Sequence, residues 1–181
     1  MQFDTLLAML ATPWCMGLIG LCIGSFLNVV IHRLPKMLER QWRIDSAAML
    51  ELPEKDEPEL NLAKPASRCP SCGHLIRWYE NIPVLSWTVL RGRCRTCQTS
   101  ISWMYPAVEL LTGVLFVATV AVYGLTPLAA VRVIFACALV VLFFIDYEHQ
   151  ILPNSITLPG IVTGIALNNA FTQDFGISTG L

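Results

Sequence analysis

Four stretches of the chain are apolar almost throughout, and nearly all the charge lies between the first and the second. Leu6 to Ile31 is the longest, and it exceeds the roughly 20 residues an α-helix needs to cross a bilayer. It reads as a first membrane segment. Ala107 to Tyr123 follows as a second, entered through Pro106 and closed by a tight turn at Gly124 to Pro127. Leu128 to Ile145 returns as a third. Ile156 to about Ala170 is a shorter fourth, interrupted by Pro159, Gly160 and Gly164.

From His32 to Tyr105 the pattern turns polar. Glu51 to Glu59 is acidic and contains proline, which suits a solvated linker better than a core. Cys69 to Trp103 reads as a compact unit, holding four of the seven cysteines and three of the five tryptophans. The pattern therefore predicts an all-α polytopic membrane protein of about four transmembrane helices. It divides into a first helix at 1–31, a loop domain at 32–105 and a three-helix membrane region at 106–181.

Composition points the same way, since 55% hydrophobic and 14% charged residues are wrong for an ordinary soluble domain. The net charge of -1 says little, but the distribution of basic residues gives orientation. Eleven of the twelve Lys and Arg lie between Arg33 and Arg95, and the other is Arg132. Basic residues near segment ends stay cytoplasmic, so the loop is expected in the cytoplasm and the N-terminus outside. Alternation then returns Asp146 to the cytoplasmic surface and sends Asp174 outside. The N-terminus lacks a basic region and a small-residue cleavage site, so the first apolar run is expected to be a retained anchor. The bilayer is the expected environment, and nucleic acid is not an expected partner. Gly17, Gly20 and Gly24 fall on or near one face of the first segment, where small residues let another helix approach closely.

Cys69-Pro-Ser-Cys72 and Cys94-Arg-Thr-Cys97 are two paired-cysteine motifs separated by 21 residues, close to the spacing of a four-cysteine zinc site. Gly73 follows the first pair where a turn is wanted. Four thiolates close a tetrahedral shell, so a zinc ion held by Cys69, Cys72, Cys94 and Cys97 would be structural. Disulfides compete with that reading and are opposed by a reducing cytoplasm. His74 is expected at the surface. Arg68, Arg91, Arg93 and Arg95 surround the motifs, either for solubility and topology or to contact head groups or an anionic ligand.

The third apolar run ends in Asp146, followed by Tyr147, Glu148, His149 and a Leu-Pro break. A carboxylate at the end of a membrane-length apolar segment is costly, and its default reading is functional. The plainer reading is that it marks where the helix leaves the bilayer.

Several stretches taken in order resemble the type IV prepilin peptidases. These are Gly24-Ser-Phe-Leu-Asn-Val-Val-Ile-His-Arg-Leu-Pro35, the paired cysteines with Glu80-Asn-Ile-Pro83 between them, and Tyr105-Pro-Ala-Val-Glu109. Ile145-Asp146 with His149-Gln-Ile-Leu-Pro153 completes the set. The resemblance implies a bacterial inner-membrane aspartic peptidase that cuts the basic leader from type IV prepilins and pseudopilins at the cytoplasmic face. It further implies N-methylation of the new N-terminal residue from S-adenosylmethionine. Asp146 matches the first catalytic aspartate, the four cysteines match those of the cytoplasmic domain, and Gly92 matches a glycine associated with methyl transfer. Read by itself, Gly92 is a turn glycine. Glu109 could attract the basic leader or pair with a loop arginine, and the pairing is favoured.

Two departures stand out. Asn154 occupies a position where the family commonly has Asp, and no Gly-x-Gly-Asp motif with a second catalytic aspartate occurs before Leu181. The expectation is therefore a partial family member, truncated before the second aspartate and lacking peptidase activity of its own. The alternatives from other classes are a non-enzymatic membrane-anchored zinc adaptor and a small transporter using Asp146, Glu109 and Arg132.

Overall fold

The structure, a computed structural model, describes residues 12–53 and 60–174, with side chains described to Leu167. The predicted start of the first segment at Leu6 and most of the acidic linker lie outside the described residues. Helix α1 spans Pro13–Met49, α2 spans Leu85–Val89, α3 spans Met104–Tyr123, α4 spans Pro127–His149 and α5 spans Asn154–Asp174. A 3₁₀ turn, Trp78–Asn81, precedes α2. No strand occurs among the described residues, only two isolated bridges.

Three of these helices, α1, α3 and α4, are long and apolar enough to cross a membrane, and the chain is an all-α polytopic membrane protein. The fourth apolar stretch does form a helix, α5, but its described apolar part is the shorter Asn154–Leu167. Helix α1 departs from expectation by running 18 residues past Ile31, to Met49. Pro35 and the onset of charge read as an end, yet Pro35 is accommodated inside the helix, buried, without its backbone N–H. Beyond it the sequence is rich in helix formers, and Gln41 donates to Asp45 one turn on at 2.9 Å. The loop therefore begins after Met49 and not at His32.

The close pairing is between α1 and α3, and glycine makes it possible. A Cβ on Gly20 would lie 2.8 Å from the Cα of Gly113, and one on Gly24 would lie 2.7 Å from the Cα of Glu109. Asn28 then donates to the Tyr105 carbonyl at 3.0 Å. Helices α3 and α4 form a hairpin whose turn is Gly124, with φ of +64°. Thr126 caps α4 by accepting from the Ala129 N–H at 3.1 Å. Beside the turn, the Arg132 guanidinium lies 3.6 Å from the centre of the Tyr123 ring, partnering a charge that the apolar helix could not otherwise hold.

At the other end of the hairpin, Leu27 and Ile31 of α1, Val108 of α3, and Val140, Val141, Phe144 and Ile145 of α4 form the core cluster. That core fixes the level at which α4 ends. Gln150 closes it in the left-handed conformation, donating to the Asp146 carbonyl at 2.8 Å.

Candidate functional site

The two cysteine motifs fold as equivalent knuckles. In the first, the Cys69 N–H donates to the His74 carbonyl and the Gly73 N–H to the Cys69 carbonyl, both at 2.9 Å. In the second, Cys94 donates to Thr99 at 2.8 Å and Gln98 to Cys94 at 3.0 Å. A bridge flanks each, Arg68 to Leu75 and Arg93 to Ser100. The residue after the second cysteine has positive φ in both, +71° at Gly73 and +58° at Gln98. Gly73 advertises this geometry in sequence; Gln98 conceals it, because a residue with a side chain is there against its preference.

All four sulfur atoms lie within 4.8 Å of one another, with Cys69 Sγ to Cys97 Sγ at 3.7 Å. Metal–sulfur bonds of about 2.3 Å in a tetrahedron give sulfur–sulfur edges of about 3.8 Å. The donor set therefore fits a tetrahedral ion once its widest edges, up to 4.8 Å, draw in by about 1 Å. Electrostatics agree. The Thr99 hydroxyl and N–H bring the Cys97 thiol down to about 6, and the backbone N–H groups of Cys72 and Ser71 lower that of Cys69. At Cys72 the His74 N–H favours the thiolate, but burial and the crowding of Cys97, Cys69 and Cys94 outweigh it and push the thiol up to about 12. The four sulfurs cannot all ionise together unless a cation sits among them.

Glu80 ties the knuckles together. Its carboxylate accepts from the Arg77 N–H at 3.0 Å, meets His74 Nε2 at 3.2 Å and pairs with Arg95 at 3.6 Å. Its acidity is raised first by that backbone N–H and then by His74 and Arg95. His74 is thus committed to Glu80, outside the sulfur cluster. Gly92, with φ of +65°, lies under Trp87, where a Cβ would come 2.8 Å from the indole ring. The Trp87 indole N–H donates to the Ile101 carbonyl at 3.3 Å, and the Ile101 N–H donates to the Gly92 carbonyl at 2.7 Å. Both φ and the close ring require glycine here.

Glu109 does not pair with a loop arginine, as the sequence reading favoured. It is buried, 7% exposed, and accepts the Val84 N–H at 2.7 Å. Helix α3 carries Glu109 into the packed contact with α1, so a backbone donor on a short segment reaches it where a bulky guanidinium does not. The arginine clamp is elsewhere and was missed in sequence. Arg33 donates to the carbonyls of Asn61 at 2.9 Å, Leu62 at 3.3 Å and Pro65 at 2.7 Å, holding the loop against α1. No spacing rule links residues about 30 positions apart.

Asp146 lies in the last turn of α4, exposed, on the face that carries Leu139 and Phe143, which are also exposed. Two residues on, Glu148 turns the other way and meets His32 Nδ1 at 3.8 Å, while the His32 ring packs edge-on against Tyr105 at 5.0 Å. These contacts set the Asp146 end of α4 level with the start of α3 and with the polar extension of α1. Asp146 and the cysteine unit therefore occupy the same end of the bundle. No hydrogen bond or ion pair among the described residues joins the Asp146 side chain to that unit.

Helical spans with a four-sulfur unit at one end define a polytopic membrane protein built around a metal-type knuckle pair. Residues 18–123 match the family model described as the bacterial peptidase A24 N-terminal domain, and residues 133–180 match the type IV leader peptidase family. The chain belongs to this family. Relatives described as prepilin leader peptidase/N-methyltransferase include one from Stutzerimonas stutzeri, 44% identical over 161 residues, 88% of this chain and 56% of its own length. Another, from Neisseria gonorrhoeae, is 46% identical over 154 residues, 84% of this chain and 54% of its own. A third, from Aeromonas hydrophila, is 49% identical over 164 residues, 86% and 56% respectively. The chain spans about half the length of the curated relatives it matches. No solved structure matches it.

Proposed function

We propose that the chain carries one of the two catalytic carboxylates, Asp146, and the cysteine unit of a prepilin leader peptidase and N-methyltransferase. It would act in the bacterial inner membrane with its N-terminus periplasmic and the cysteine unit cytoplasmic. Prepilins and pseudopilins are the substrates in this reading. The carrying observation is the shared position of Asp146 and the cysteine unit at one end of the bundle. A basic leader is held in the cytoplasm by the rule that orients the loop, and the adjoining apolar helix of the substrate lies in the bilayer. A junction between the two sits at the membrane boundary, where α4 ends.

Aspartic peptidase chemistry needs a second carboxylate facing the first, one ionised to activate water and one protonated to polarise the scissile carbonyl. Neither nearby glutamate is free for that role, since Glu148 is engaged by His32 and Glu109 by Val84. The exposed face of α4 around Asp146 is the direction from which a second aspartate approaches. Zinc is the ion that Cys69, Cys72, Cys94 and Cys97 would hold; it would supply folding energy to the loop and take no part in bond cleavage. S-adenosylmethionine is the methyl donor in this reading. Gly92 contributes to methyl transfer by seating Trp87 and thereby the second knuckle.

A chimera in which this chain replaces the matched part of the Stutzerimonas stutzeri relative tests the proposal. It is expected to cleave prepilin in lipid vesicles, and Asp146→Asn is expected to lower the rate by about a thousandfold or more, as loss of a residue indispensable to the chemistry does. Undiminished cleavage by the Asp146→Asn chimera would sink the assignment.

A further inference from the structure

We infer that Ile82 to Leu90 is an interfacial membrane element, held at the boundary between head groups and acyl chains by the bond from Val84 to Glu109. The segment reads Ile-Pro-Val-Leu-Ser-Trp-Thr-Val-Leu and carries no charge between Glu80 and Arg91. Leu85 and Val89 stand four residues apart on one face of α2 and are 57% and 72% exposed. The side chain between them, Trp87, turns inward onto Gly92. A short helix that seats its tryptophan and leaves its aliphatic residues outside has an apolar face in need of cover.

Depth decides what covers it. Helix α3 has 20 residues, about 30 Å at 1.5 Å each, which only just matches a bilayer core. Glu109 lies five positions in from Met104, about 7.5 Å along the axis. Side chains lean toward the N-terminus, so the carboxylate sits within the first turn or so of the apolar helix. Val84 reaches it there, with a backbone N–H at 2.7 Å. Val84 and the neighbouring Leu85 are therefore at the level where the bilayer begins, and Val89, on the same face of α2, lies one helical turn, about 6 Å, from Leu85.

The backbone is prepared for that environment. Pro83 has no N–H, that of Val84 goes to Glu109, and those of Ser86 and Thr88 go to the Ile82 and Val84 carbonyls at 3.1 and 3.0 Å. The Thr88 hydroxyl also turns back, donating to the Val84 carbonyl at 2.8 Å. These polar groups are satisfied inside the protein, as burial near lipid demands. Trp103, 68% exposed and immediately before α3, has the position of an interfacial tryptophan, and Arg91 and Arg93 supply positive charge for phosphate head groups. The acyl boundary of the protein's own bilayer is the occupant.

The test places the photoreactive residue p-benzoylphenylalanine at Leu85, at Val89 or at Gln98 of the full chain in phosphatidylethanolamine–phosphatidylglycerol vesicles. All three positions point outward, and metal retention by the cysteines reports that each variant is folded. Lipid adducts after irradiation, counted by mass spectrometry, are expected to be at least about fivefold more abundant at positions 85 and 89 than at the knuckle tip at 98. Yields equal to that at 98, lipid adducts at only one of the two, or crosslinks to protein in place of lipid would overturn the inference.

Discussion

Gly24→Ala probes the contact that locates everything at the functional end of the bundle. The added Cβ would lie 2.7 Å from the Cα of Glu109 and 3.1 Å from the Cβ of Thr112. Carbon atoms rest at about 3.5–4.0 Å, so α1 and α3 must separate locally by about 1 Å. Both obstacles are backbone or backbone-adjacent and cannot swing aside. Overpacking of this kind costs about 1–3 kcal/mol. The same movement stretches the Asn28–Tyr105 bond from 3.0 Å toward about 4 Å, outside hydrogen-bonding range. In a membrane protein such a bond contributes about 0.6 kcal/mol on average. Alanine returns up to about 1 kcal/mol of helix propensity, leaving a net destabilisation of about 1–3 kcal/mol. Gly17→Ala is the control, because its Cβ would meet only Val117 Cγ2, at an ordinary 3.5 Å. It should be neutral or slightly stabilising. Unfolding in lipid–detergent micelles titrated with sodium dodecyl sulfate measures both. Equal midpoints for the two variants would refute the argument that α1 and α3 touch through glycine at this level.

At pH 7.4 zinc loading should release at least one proton per ion, that of Cys72, which holds its proton to about pH 12 while Cys97 is already a thiolate with its pKa of about 6. As pH falls through 6, Cys97 takes up a proton as well, so affinity should drop by up to about a further tenfold per pH unit; competition with a chromophoric chelator in weakly buffered solution reads both effects. Gln98→Gly should stabilise the second knuckle by about 0.5–1 kcal/mol, because it removes the cost of a left-handed non-glycine residue at φ +58°, and slower metal loss to chelator is the readout. Gly92→Ala should cost the loop about 2–4 kcal/mol, from a disfavoured φ of +65° and a Cβ 2.8 Å from Trp87, with red-shifted tryptophan emission as the ring is displaced.

The membrane character, the hairpin at Gly124 and the pairing of the two cysteine motifs were legible in the sequence, because each rests on local pattern or fixed spacing. Apolar run length determines a span, and two knuckles 21 residues apart can close one shell whatever the chain does between them. The glycines of the first segment likewise announced a close helix partner, though not that the partner is α3. Other features rest on residues far apart in the chain and became visible only in the tertiary structure. Helix α1 runs through Pro35 because the helix is packed up to that proline and continues beyond it in residues that favour helix, whereas the sequence rule counts that proline as a stop. Glu109 meets a backbone N–H in place of an arginine because α3 carries it, buried, into the contact with α1, where the Val84 N–H and the side chains of Ser25 and Asn28 surround it. Gln98 adopts a glycine conformation because the closed knuckle dictates its φ. Asp146 shows both halves of the lesson. The sequence by itself determined that a costly carboxylate ends an apolar helix; only the packing of Ile145 and Phe144 into the core turned that carboxylate outward, since a rotation of 100° per residue sends consecutive side chains of a helix to different surroundings.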